Sequence, residues 1–345
     1  MNFDLDYFKK VANIIFNTPS PTGYTYLAIN KVKELVEEIG YKATLTNKGN
    51  LEVELLGKNN DYVVATSAHI DTLGLMVRSI KPNGYLAVTN LGGPIIPTLD
   101  GEYCSIVTRS GKSYTGTILS TSPSVHVYKD ANTKDRTVDT IEVRIDEVIH
   151  SRQECLELGI NNGDYVIIDP KFQITESGFI KSRFIDDKAS VCVILTLLKY
   201  MYDNNIIPTF KTKIYFVVHE EIGHGASSVS YDIDEFVTVD MGCVGLDLAG
   251  SEEKVSIAAK DSSGPYDYEL TTRLINLAKN YDIDYAVDIF PFYGSDVSAA
   301  YRSGHDIKGA LIGQGVCASH GMERTHMKGI INTLKLLYAY LTEER

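Results

Sequence analysis

The sequence predicts an α/β fold interrupted by a β-rich insertion. Residues 1–75 and 181–345 alternate between helical and strand periodicity, whereas residues 76–180 carry only short alternating runs separated by Gly, Asn, Asp and Pro. A length of 345 residues suits two domains, or one large domain with an insert, and a 44% hydrophobic content supports a sizeable core.

Leu5, Phe8, Val11, Ala12 and Ile15 recur at helical spacing over 4–16, and "TPSPTG" then breaks the pattern. A second helix is expected over 24–39, with Ala28, Val32, Leu35, Val36 and Ile39 on one face and Gly40 as its stop. Strands follow at 41–46 and 50–56 around the turn "NKGN", and "YVVATSA" runs directly into His69. Within 76–180, "GYLAVTN", "YCSIVTR", "TGTILST", "TIEVRID" and "DYVIIDP" read as the strands of a small β domain without a long helix. A helix over 187–203 then places Val191, Ile194, Leu195 and Leu198 together. The strands "KIYFVV", "FVTVD", "KVSIAA" and "IKGALIG" alternate with helices near 265–281 and 293–303. An amphipathic helix over 327–342 carries Ile330, Leu334, Leu337 and Leu341. Both ends of the chain therefore build one α/β domain, into which the β-rich segment is inserted.

The formal net charge of −12 argues against nucleic acid or an anionic membrane as the main partner. Five cysteines, with no C-x-x-C pair and Cys192 inside the apolar run "VCVILTLL", read as free thiols in a reducing compartment. The opening "MNFDLDYFKK" has no apolar core of a secretory signal, and no run approaches the ~18 apolar residues of a membrane span. A cytoplasmic protein is the expectation.

Polar clusters stand immediately after the apolar strands. "SAHID" follows "YVVAT", "HEEIG" follows "IYFVV", and "DMG" follows "FVTV". Ligands of open α/β sheets bind beyond the carboxyl ends of strands, so these clusters should converge on one crevice. "FIDDKAS" before a helix and "ASHGMERTH" before the last helix add further candidates. Taken one at a time, such residues have plain readings: Asp187 reads as a helix N-cap, and a lone strand-end His or Glu as a solvated residue. His126, His150, His219, His224 and His305 are left as ordinary. Their ordered set of H-x-D, D-D, E-E and V-D, closed by a late histidine, is what points to a metal site.

"HEEIGH" imitates the H-E-x-x-H signature, which needs two histidines four residues apart on one helical face. His219 and His224 are five apart, about 140° round a helix. Here the informative pair is Glu220-Glu221.

In this order, "SAHIDTLGLMV", "FIDDKAS", "HEEIGHGAS", "TVDMG", "YGSDVSAA" and "ASHGMERTH" resemble the glutamyl-aminopeptidase and tetrahedral-aminopeptidase family of dinuclear metallopeptidases. The likeness extends over nearly the whole chain. It implies a zinc-peptidase-like fold, with a central mixed β-sheet flanked by helices and an inserted small β-barrel-like dimerisation domain. It also implies two divalent ions per subunit (Zn2+ or Co2+, with Mn2+ as a further candidate), and homo-oligomers from dimers to dodecamers. Its substrates would be peptides with a free N-terminus.

Carried over residue by residue, His69 would be a terminal ligand of one ion, and Asp71 would orient it. Asp186 would bridge both ions, and Asp240 would bind the first. Glu221 and His320 would bind the second, with Glu220 as general base. Two departures stand out: Thr72 occupies a position where many relatives carry Glu, and "SHGMERTH" replaces a shorter "HS" context. His320 is preferred to His326 because it follows the expected small-residue lead-in.

This donor set suits hydrolysis. Two cations on one carboxylate lower the pKa of a water towards ~7 and polarise a carbonyl, and His and carboxylate donors without cysteine suit Zn2+, Co2+ or Mn2+. A dinuclear carboxypeptidase or N-acyl amino acid deacylase remains a rival reading, as does a non-catalytic scaffold. An endoglucanase could use two carboxylates but would not need the histidines.

Overall fold

A computed structural model of the protein describes residues 1–344. The chain divides into two compact units, Met1–Asp71 together with residues from Lys171 onward, and Thr72–Pro170. These bounds differ from 76–180 at both ends. Residues 171–180 fall outside the inserted unit because Gln173–Ile174 and Phe179–Ser182 pair with each other, and the latter with Glu323–His326.

The first unit is organised by a nine-stranded mixed sheet. At its centre Phe210–Val217, Asn59–His69, Glu235–Cys243 and Lys308–Val316 lie side by side and parallel. Leu51–Leu55 flanks one side and Val255–Asp261 the other, both antiparallel to their central neighbours. Alternation along the strands buries both faces. Val64, Ala68, Ile214 and Phe216 join one apolar cluster with the helices, while Val63, Ala65, Tyr215 and Val217 join a second cluster with Val297 and Ala300.

Local signals explain the helices. Leu5–Asn17 is capped by Asp4, whose side chain accepts the Tyr7 N–H, and buries Phe8, Val11, Ala12, Ile15 and Phe16. Tyr26–Ile39 ends on Gly40 at φ +117°, a left-handed position suited to glycine. Ile185–Asp203 is buried nearly all round, as a central helix must be. Burying its Val191, Ile194, Leu195 and Leu198 stabilises the unit by roughly 1.5–3 kcal/mol per side chain. Met327–Thr342 matches the expected C-terminal helix at both ends. The half-buried strand Tyr285–Ile289 and the short Glu323–His326 went unanticipated.

In the second unit, Gly74–Ile80, Leu86–Leu91, Ile141–Ile145, Ser113–Ser120, Tyr103–Val107 and Tyr165–Ile168 close into a six-stranded barrel. Closure removes the exposed edges that an open sheet of short strands would carry. Outside the barrel, the unit also carries the 3-10 turn Ile96–Leu99 and the six-residue helix Arg152–Glu157. All five cysteines are free. Among the described residues no helix is long and apolar enough to cross a membrane.

Candidate metal centre

Parallel pairing sets the site. Val217 is the register partner of His69, so the chain that leaves the Phe210–Val217 strand delivers Glu220 and Glu221 beside it. On the other side Thr238 pairs with Ser67, which brings Asp240 level with the same strand end. The Lys308–Val316 strand, next to Asp240, leads out to His320. Asp186 and Asp187 stand at the entry of the central helix with non-helical backbone angles, and the peptide bond between them is cis.

Asp186 is the hub. Its Oδ1 lies 3.0 Å from His69 Nε2, and its Oδ2 lies 3.6 Å from His320 Nε2. His69 Nε2 is also 3.6 Å from Glu220 Oε2, and His320 Nε2 is 3.7 Å from Glu221 Oε2. On the far side of the first imidazole, His69 Nδ1 meets the Asp71 backbone carbonyl at 2.9 Å. That contact favours the tautomer that presents Nε2 to the crevice. The Asp71 carboxylate, fully buried, accepts from Thr22 Oγ1 at 2.7 Å and from the Glu220 and Glu221 amides.

Two sets of donors converge. Ligand atoms of His69, Asp186 and Glu221 lie within 4.8 Å of one another, as do those of His69, Asp187 and Asp240. The predicted residues His69, Asp71, Asp186, Glu220, Glu221, Asp240 and His320 thus share one neighbourhood. His326 does not. Its Nε2 faces the Ser177 carbonyl at 3.0 Å, and its Nδ1 accepts the Lys328 N–H at the start of the last helix. Asp187 precedes the first regular helical residue, as a cap does, yet its carboxylate accepts the His69 backbone N–H at 3.1 Å.

The residues present fit divalent ions. Glu221 Oε1 is buried without a hydrogen-bond partner, an arrangement that costs free energy unless a cation takes the lone pair. Burial and neighbouring carboxylates push Glu220, Glu221 and Asp187 well above their ordinary values, and raise Asp240 to about 7. Asp186 goes the other way. Burial acts to raise it, but His320 and His69 hold it well below the usual carboxylate range. A crevice this crowded with acids favours cations of high charge.

Several contributors carried no signal in the sequence. Lys48, in the "NKGN" turn, grips the loop after the glutamates, reaching the His224 carbonyl, the Gly225 carbonyl at 3.0 Å and Ser227 Oγ at 2.9 Å. Asn50 accepts the Val218 N–H at 3.0 Å and donates to the Gly225 carbonyl. Lys188, fully buried, donates to the carbonyls of Ile15 at 3.0 Å and Thr18 at 2.6 Å, anchoring the Asp186–Asp187 turn to the first helix. Tyr293 donates to the Met241 carbonyl at 3.1 Å, next to Asp240. The rings of His219 and His224 stack on each other at 5.2 Å and stay outside the donor set.

Known proteins resemble this chain in sequence and in fold. A family model described as M42 glutamyl aminopeptidase matches residues 49–336. The protein YhfE of Bacillus subtilis (strain 168) is 46% identical, over 98% of this chain and 96% of its own length. The crystal structure of a TET aminopeptidase from the archaeon Thaumarchaeota archaeon SCGC AB-539-E09 superposes with a TM-score of 0.89 at 20% identity, covering 98% of this chain and 97% of that one. The Pyrococcus horikoshii TET1 peptidase, which can assemble into a tetrahedron or a large octahedral shell, has a TM-score of 0.83 at 22% identity, with 99% of each chain covered.

Proposed function

Since the chain belongs to the M42 glutamyl aminopeptidase family, we propose that it removes N-terminal residues from peptides at a centre of two divalent ions, with Glu220 as general base. Membership of the family makes it an aminopeptidase and a peptide hydrolase. The observation that carries the two-ion reading is Asp186, whose two oxygens each face a different histidine. A carboxylate addressed from both sides is suited to bridging.

His69 and Asp240 would hold one ion and Glu221 and His320 the other, with Asp186 between them. When bound, the ions polarise the scissile carbonyl and bring a water's pKa towards neutrality. This chain's own residues do the rest. Asp71 fixes the His69 ring and tethers the Glu220 and Glu221 backbone. Glu220 takes the water's proton on its carboxylate and returns it to the leaving nitrogen. Its side chain retains 14% exposure, so that it opens on the crevice, while Glu221 retains 4%. Zn2+, Co2+ or Mn2+ suits this His and carboxylate set.

The partners are peptides with a free N-terminus and other copies of the chain, in assemblies from dimers to dodecamers. The TET1 relative's assemblies support this, and so do exposed apolar side chains on the inserted unit, with Tyr103 66%, Val127 73% and Val148 92% exposed. Free, mostly buried thiols support a reducing, cytoplasmic location.

A metal-supplemented assay over a panel of aminoacyl-p-nitroanilides tests the reaction, with N-acetyl amino acids as the contrast. Turnover of the acetylated compounds alone would sink the aminopeptidase mechanism.

A further inference from the structure

We propose that Glu323 is a positioning residue that locks the segments carrying Asp186 and His320 into one unit and thereby sets metal affinity. This rests on the two-ion reading of the same centre. Glu323 is buried, with 1% exposure, and is not among the residues whose donor atoms converge at the centre. Its Oε1 accepts the His320 backbone N–H at 2.9 Å, and its Oε2 accepts the Asp186 backbone N–H at 2.9 Å. One carboxylate thus ties together two donors that are far apart in the chain.

The fold explains why it stands there. Glu323 opens the strand Glu323–His326 and pairs with Ser182, at the end of Phe179–Ser182. From Ser182 the chain runs on to Asp186, while His320 lies three residues before Glu323. The small sheet therefore delivers both ligand-bearing segments to the same carboxylate.

Both segments need holding. His320 sits at φ +64° and Ala318 at φ +58°, left-handed conformations that are uncommon for residues with a side chain. Asp186, with a non-helical ψ of +103°, is the second residue of the helix Ile185–Asp203, where an amide has no intrahelical carbonyl to meet. A carboxylate suits the task because both of its oxygens accept. Glutamine would satisfy one amide and turn its own N–H2 towards the other. Aspartate is one methylene short.

The test is Zn2+ titration of the full-length apo protein, wild type against Glu323→Gln, with Thr325→Val as control. Thr325 lies in the same strand, fully buried, and donates to the Gly315 carbonyl at 2.7 Å without touching either ligand segment. We expect Glu323→Gln to weaken binding of one or both ions by about 10–100-fold. Thr325→Val should lower thermal stability and leave the Zn2+ affinities unchanged. Equal affinities in Glu323→Gln and wild type, or an equal loss in the control, would overturn the proposal.

Hydrogen exchange on wild-type apo protein supplies a readout that survives a folding failure of the variant. The Asp186 and His320 amides should be protected and should open together. Exchange of either at the rate of an exposed loop would overturn the clamp. A wild type that takes up no Zn2+ would defeat the two-ion reading instead, and protection of the two amides would still decide the clamp itself.

Discussion

The Asp71 carboxylate accepts the Glu220 backbone N–H at 3.1 Å, while the Asp71 carbonyl meets His69 Nδ1 at 2.9 Å. One residue therefore sets the orientation of the first histidine and the position of the glutamate loop. Asp71→Asn keeps the carbonyl contact but turns an N–H2 towards donors on Thr22 and Glu221. The expected outcome is a loss of about 10–100-fold in metal affinity or kcat. Metal titration alongside steady-state kinetics checks it, and wild-type values in both would remove Asp71 from the mechanism.

Glu220 and Glu221 should separate cleanly by mutation. Glu220→Gln removes the proton acceptor while leaving the donor set intact, so kcat should fall by about 10²–10⁴-fold with metal content retained. Glu221→Gln should instead lose bound metal, because Glu221 Oε1 is a buried donor oxygen without a hydrogen-bond partner. Elemental analysis of both purified variants distinguishes the two roles. Near-normal kcat in Glu220→Gln would refute the assignment of the base.

How far the sequence was legible follows from where the signal resides. His69 ends an apolar strand, Glu220 follows another by three residues and Asp240 lies late in a third, and parallel pairing carries all three to one edge, so their convergence could be read from order alone. Asp186 was legible through the D-D pair before a strong helix. Glu323 was not, because its role depends on a four-residue strand too short for a periodicity signal. Lys48 and Asn50 were missed for a related reason: a two-strand turn reads as local chemistry, yet it reaches a loop more than 170 residues later. Tyr285–Ile289 escaped because its exposed Val287 and Ile289 disguise its alternation.

The two late histidines offer a contrast. His320 faces Asp186 and Glu221, whereas His326 caps the last helix and packs edge-on to Phe179. His320→Ala should lose metal affinity and activity with little change in apo stability. His326→Ala should keep activity in the folded enzyme and lower stability by about 1 kcal/mol for the missing cap. Urea denaturation and Zn2+ titration of the pair decide this. The reverse pattern would reassign the last ligand.

Chelation should act on stability as well as on turnover. An ion that binds only the folded state adds stability by mass action, about 2.7 kcal/mol at one hundred times its Kd. Removing it with a chelator should therefore lower Tm and abolish activity, and Zn2+, Co2+ or Mn2+ should restore both. A chelated protein with an unchanged Tm and full turnover would rule out metal dependence.

The strand that carries Asp240 leaves no room beside it. Gly313 is the register partner of Asp240, and a Cβ at Gly313 would stand 1.6 Å from the Asp240 carbonyl oxygen. That oxygen belongs to the backbone and cannot swing aside, so Gly313→Ala must spread two central strands. Overpacking of this kind costs about 1–3 kcal/mol. The displaced strand also carries a proposed ligand, so weaker metal binding should accompany the stability loss. Gly294→Ala is the matched control, since a Cβ there meets nothing within 4 Å. Urea midpoints and Zn2+ affinities should fall together in the first variant and hold in the second. A wild-type midpoint for Gly313→Ala would mean that these strands do not pack as closely as described.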